Sequence, residues 1–138
     1  MTEESKDLFR EILSAERALH AAYLQALPLL QPVFLQEKIR GWIVEGKTHI
    51  RLLEGALDPL GGEGRNETAS TPVDLPGRER HALLKYFYEG EERLYYLYLS
   101  AARKEDKPAL RSLLESHLQD QKRHLAEIQN IYTESLYY

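Results

Sequence analysis

The chain is expected to fold as an all-α four-helix bundle, built from two helical hairpins joined by a long crossover. Three observations carry that expectation. Apolar residues recur at helical spacing over four long stretches. Turn chemistry interrupts them three times, and the longest interruption falls in the middle. The chain also repeats itself at a step of 75 positions without a gap: Glu16 and Glu91, Leu19 and Leu94, Tyr23 and Tyr98, Lys47 and Lys122, His49 and His124, with Glu45 answered by Asp120. One helix pair has been used twice.

The first helix is expected over about residues 2–30, capped by Thr2 or Ser5, with acidic residues in its first turn facing the positive end of the helix dipole. Phe9, Ile12, Leu13, Leu19, Tyr23, Leu27 and Leu30 form its apolar stripe. Pro28 loosens the last turn, and Pro32 suits the start of the next helix. That second helix spans about 33–57, with Leu35, Ile39, Ile43, Gly46, Ile50, Leu53 and Leu57 inward. Asp58, Pro59 and the following glycines stop it. Residues 58–77 are rich in Gly, Ser, Thr and Pro, and a loop this long needs a reason. A crossover running along the outside of a bundle supplies one. The third and fourth helices follow at about 78–103 and 108–136, the last opened by Pro108.

With 138 residues, one domain able to bury a core is expected. The net charge of −4 argues against a nucleic-acid binder, which would carry a basic stripe. The absence of cysteine excludes disulfides, thiolate catalysis and cysteine-ligated metals. No apolar run approaches the roughly 20 residues of a membrane span. The acidic opening MTEESKDLF is unlike a signal peptide, so a cytoplasmic location is the expectation. The glycines at 61, 62 and 64 follow no strand and so do not make a phosphate loop.

Helical geometry, about 100° per residue, places Glu16 in the middle of its apolar stripe, and Glu91 likewise between Leu84, Phe87, Tyr95 and Tyr98. A carboxylate there is costly unless it is paired, protonated or metal-bound. His49 and His124 also turn inward, each 33 positions after its glutamate. Glu45 and Asp120 fall at the rim, where they would need a rotated helix to reach inward. Gln121 is central on the fourth helix, with Tyr23, Tyr95, Tyr98 and His20 close to the inner set. His20 and His117 themselves read as ordinary surface or boundary histidines. Tyr88, Tyr96 and Leu99 widen the apolar sector of the third helix beyond one face, which reads as a homodimer surface; Tyr86 falls on the outer side.

These residues resemble the ferritin-like superfamily, most closely its rubrerythrin-type bundles. The shared features are two hairpins with a long crossover, a Glu on helices one and three, a His-bearing motif on helices two and four, and the seven-residue step from Glu16 to Tyr23 and from Glu91 to Tyr98. The first half, with DLF at 7–9, AE at 15–16, ALP at 26–28 and LE at 53–54, is similar to small ferritin-like bacterial stress proteins. The resemblance implies a metal centre that handles iron or peroxide under stress, with ferroxidase- or peroxidase-like oxidoreductase chemistry if the protein is an enzyme. The pattern also departs from the superfamily. Ferritin-like di-metal sites use Glu-x-x-His, the glutamate bridging two ions, and three residues before His49 and His124 stand Gly46 and Gln121. A reduced set of Glu16, His49, Glu91 and His124 suits one Fe, Mn or Zn ion, with Glu45 and Asp120 at its fringe and Tyr23, Tyr98 and Gln121 one layer out. The same residues also read as a metal-free hydrogen-bond network in a dimeric structural or stress protein.

Overall fold

A computed structural model describes residues 2–58 and 73–137. They form four helices: α1 (Glu3–Ala26), α2 (Val33–Leu57), α3 (Arg80–Lys104) and α4 (Pro108–Ser135). No strand occurs among the described residues, and no helix among them is long and apolar enough to cross a membrane.

The helix ends follow from local chemistry. Thr2 is the cap of α1, its hydroxyl accepting from the Ser5 backbone N–H at 3.1 Å, with Glu3 and Glu4 in the first turn. The Ser5 hydroxyl donates to the buried carboxylate of Glu105 at the far end of α3. The first helix stops at Ala26 rather than near Leu30. Pro28 has no N–H for the next α-helical bond, and the chain tightens into a 3-10 turn over Leu27–Leu29. Pro32 stands just outside α2, where its carbonyl accepts from Leu35. Pro108 opens α4 from its first position. Arg103 and Lys104 close α3 at the negative end of its dipole.

Most of the expected crossover lies outside the described residues. Its last part returns to α1, where the Gln25 amide exchanges two hydrogen bonds with the backbone of Val73, at 2.9 and 3.0 Å. Val73 and Leu75 pack onto the core beside it. Gly77 holds φ +145°, a conformation closed to side chains, as the chain turns into α3.

Within each hairpin α1 packs on α2 and α3 on α4, and α1 packs on α3 across the hairpins, whereas α2 and α4 approach each other less closely. The apolar interior is in two parts. One gathers Tyr23, Leu30, Leu35, Ile39, Trp42, Leu83, Leu84, Phe87 and Ile128. The other gathers Phe9, Ile12, Leu13, Leu53, Leu57, Leu94, Tyr98 and Leu114. Between them lies a belt of buried polar residues: Glu16, His49, Glu91, His117, Gln121 and His124.

Candidate functional site

Each of the four helices delivers its part of the belt from the middle of its buried face. α1 carries Glu16 with Tyr23 two turns on; α3 carries Glu91 with Tyr98 two turns on. These helices run antiparallel, so each tyrosine meets the other helix's glutamate. The Tyr23 hydroxyl donates to Glu91 Oε1 at 2.9 Å, and the Tyr98 hydroxyl donates to Glu16 Oε1 at 3.2 Å.

The same reciprocity joins α2 and α4. His49 Nε2 lies 2.9 Å from Asp120 Oδ2, and His124 Nε2 contacts Glu45 Oε2. Glu45 and Asp120 therefore remain at the rim, as the wheel places them, but no helix rotation is needed. The gap between α2 and α4 lets each carboxylate take the outer nitrogen of the opposite histidine. The inner nitrogens point at the glutamates: His49 Nδ1 is 3.4 Å from Glu16 Oε1, and His124 Nδ1 is 3.9 Å from Glu91 Oε2. Glu16, His49, Glu91 and His124 thus come together with Glu45, Asp120, Tyr23, Tyr98 and Gln121.

His117 belongs to the belt as well, contrary to its reading as a surface histidine. It is buried and stacked on His49, ring centroids 4.0 Å apart, with Nδ1 3.2 Å from the Tyr98 hydroxyl. Its Nε2 has no hydrogen-bond partner. The repeat holds the signal: the position 75 before it is Trp42, which packs against His124 and Tyr23 as His117 packs against His49 and Tyr98. His20 lies at the edge, half-buried, with Nδ1 unpartnered. Tyr95 is not in the belt; it sits edge-on to Tyr96 on the outer side of α3.

The halves match in geometry and differ in charge. Burial opposes a charge on His49, but hydrogen bonds and charges from Glu16 and Asp120 outweigh it and raise its pKa. His124 goes the other way: burial, with the charges of Arg123 and His49, outweighs Glu45 and lowers its pKa. Arg123 holds Glu45 through two 2.8 Å bonds, and the repeat puts uncharged Thr48 in its place on α2. Burial and the charge of Glu16 push Glu91 up to about 8 despite donation from Tyr23 and Gln121 and the charge of His49. Burial, then His49, lowers His117 to about 3. Burial and the nearby glutamates raise Tyr23 and Tyr98 well above the ordinary tyrosine value, so both hydroxyls keep their protons. One half strengthens the hold of its histidine on a proton; the other strengthens that of its glutamate and weakens that of its histidine.

The positions three before each histidine differ most. Gln121 Nε2 donates to the backbone oxygen of Glu91 at 3.1 Å and to its Oε2. At Gly46 an added Cβ would stand 3.6 Å from Glu16 Oε2. A cavity of about 20 Å³, the size of one water, opens among Glu16, Gly46, His49, Glu91 and His124.

No protein-family model and no curated protein sequence matches this chain. Among solved structures it is similar to a crystal structure described as ferritin like, diiron-carboxylate proteins from Bacillus anthracis str. Ames. The TM-score is 0.76 at 18% identity, over 96% of this chain and 99% of that one. The chain has the ferritin-like four-helix fold.

A di-iron carboxylate centre does not fit the residues present. The two bridging carboxylates such a centre uses are replaced by a hydrogen atom at Gly46 and by an amide donor at Gln121. Among the described residues, no group of three or more His, Asp and Glu side chains is arranged to hold a metal ion.

Proposed function

We propose that this protein is a ferritin-like bundle that works without a redox metal centre, as a homodimeric structural protein of the bacterial stress-protein kind. The observation that carries this reading is the Gln121 amide. It donates to Glu91 from the position where a di-metal centre needs a negative charge. Tyr23 and Tyr98 are likewise matched to glutamates, and His49 and His124 to rim carboxylates. The protein's work then falls to its surface. Tyr96, 59% exposed, lies on the outer side of α3; Tyr88 beside it is partly covered by Tyr132, at 5.7 Å between ring centroids.

The test is elemental analysis of the purified protein, with thermal melts in added Fe(II), Mn(II) and Zn(II). The reading expects no bound metal and no shift in melting temperature, because an ion that bound the folded chain alone would raise it. A bound ion or a concentration-dependent shift overturns it. A dimer by light scattering is expected in the same buffers.

A second reading has one specific observation in its favour. His49 and His124 are each held by the outer nitrogen on a carboxylate, the arrangement that aims a metal-binding imidazole inward. In that reading Glu16, His49, Glu91 and His124 close on one Fe, Mn or Zn ion, and the chain handles iron or peroxide. The same analysis would then return one ion per chain.

A further inference from the structure

The polar belt is divided into two half-sites, and each offers a metal two donors. One half has Glu16 and His49 Nδ1; the other has Glu91 and His124 Nδ1. The outer nitrogens are taken by Asp120 and Glu45, so the rim carboxylates orient the imidazoles rather than adding inner donors. Two protein donors are fewer than the three or four that hold a transition-metal ion.

Positions 46 and 121 face these half-sites directly. A Cβ at 46 would meet Glu16 Oε2 at 3.6 Å, an ordinary contact distance, beside the water-sized cavity. The side chain at 121 already touches Glu91 Oε2. A carboxylate at either position would face another carboxylate in a water-poor interior, which is unfavourable without a cation between them. The chain avoids that repulsion in two different ways, with no side chain at 46 and with an amide donor at 121.

We infer that Gly46 and Gln121 are the two residues that keep this centre from closing around a pair of divalent transition-metal ions, and that every other donor is already in place. The inference rests on the metal-independent reading above. It requires that returning carboxylates to both positions supplies the third and fourth donors of each half and lets the two halves share them.

The experiment uses the full chain and Co(II) or Mn(II) as the probe. Wild type, Gly46→Glu and the double variant Gly46→Glu/Gln121→Glu are compared by metal stoichiometry after desalting, by thermal melts with and without metal, and by the Mn(II) paramagnetic resonance signal. The expected result is none bound by the wild type, one ion per chain in Gly46→Glu and two in the double variant. The double variant should also show an exchange-coupled Mn(II) signal and a melting temperature that climbs with Co(II). A folded double variant that binds no ion overturns the inference, as does a folded Gly46→Glu that binds none. Variants that fold with Co(II) but not without it support it. Variants that fold under neither condition overturn it, because the half-sites were required to stay in place. A metal-free wild type beside metal-free variants leaves the metal-independent reading standing while this inference falls. One ion in the wild type removes that reading but not the gain expected of the variants, and two ions in the wild type remove both.

Discussion

Tyr98→Phe and Tyr23→Phe remove the same atom from equivalent positions, and their costs should differ. Each change deletes one buried hydroxyl with little change of shape, so a cavity contributes little. Tyr23 gives its proton to Glu91, which keeps the Gln121 amide as a second donor. Its loss removes one hydrogen bond from Oε1 while the Gln121 amide still holds Oε2 of the same carboxyl, a cost of about 1 kcal/mol. Tyr98 serves Glu16 at 3.2 Å and also lies 3.2 Å from His117 Nδ1. Gly46 has no side chain to replace it, and His117 Nε2 already has no partner. Deleting the Tyr98 hydroxyl leaves Glu16 with His49 alone and strands both nitrogens of a buried imidazole. A lost bond to a charged group plus an unsatisfied buried nitrogen comes to about 2–4 kcal/mol. For a chain of this size that is a fall in melting temperature of roughly 6–16 °C, against roughly 3–4 °C for Tyr23→Phe. Urea unfolding of both variants at pH 7, with unchanged m-values, is the assay. Equal losses, or a larger loss for Tyr23→Phe, would refute the reasoning that Gln121 and Gly46 make the halves unequal.

Other outcomes follow from the same contacts. Stability should fall as pH rises from about 6.5 to about 8: folded Glu91 and His49 still hold protons that the unfolded chain has released, and this stabilisation is lost as pH passes through their raised folded pKa values. Urea melts of Glu91→Gln should show a flatter decline over that range, the difference being at most about 1.4 kcal/mol per pH unit. Below about 6.5 unfolded His117 takes up a proton that the folded chain refuses until about pH 3, which offsets Glu91, and the sign reverses once the unfolded glutamate is itself protonated near its ordinary value of 4.5; His117→Phe should lessen the acid loss in the same melts. Gly46→Ala should stabilise by about 0.5–1 kcal/mol, since a helical Cβ there meets only an ordinary contact. Gly77→Ala should destabilise by more than that amount, because its φ of +145° excludes a side chain even where space is open. Tyr96→Asp should abolish the proposed dimer, leaving a monomer by light scattering, with little change in secondary structure by circular dichroism.

The repeat makes the fold legible, because it places two hairpins end to end in one chain. It also locates the glutamates: a carboxylate in mid-stripe on α1 and again on α3 is too costly to be incidental. The inward histidines follow from the same wheel. What the wheel lacks is distance. It gives the angle at which Glu45 and Asp120 leave their helices, but not the gap between α2 and α4 that lets them reach the opposite histidines. The pairing of Tyr23 with Glu91, and of Tyr98 with Glu16, likewise depends on α1 and α3 lying antiparallel at one particular offset. His117 escapes the wheel because a lone histidine reads as a boundary residue, although its repeat mate Trp42 marks a buried aromatic position. The unequal halves come from burial first, and for His124 in part from Arg123 gripping Glu45, a contact between helices that spacing along one helix does not reveal.

The tyrosine–glutamate and histidine–rim carboxylate bonds of the belt all run from one hairpin to the other. Apolar stripes alone would tolerate sliding, since a helix displaced by one turn, about 5.4 Å, still sets leucine against leucine. The belt does not tolerate it: such a slip would part Tyr23 from Glu91 and Tyr98 from Glu16, and detach His49 and His124 from their carboxylates at once. The polar layer therefore acts as a vernier for the assembly, selecting one alignment of the hairpins among several that hydrophobic contact would accept.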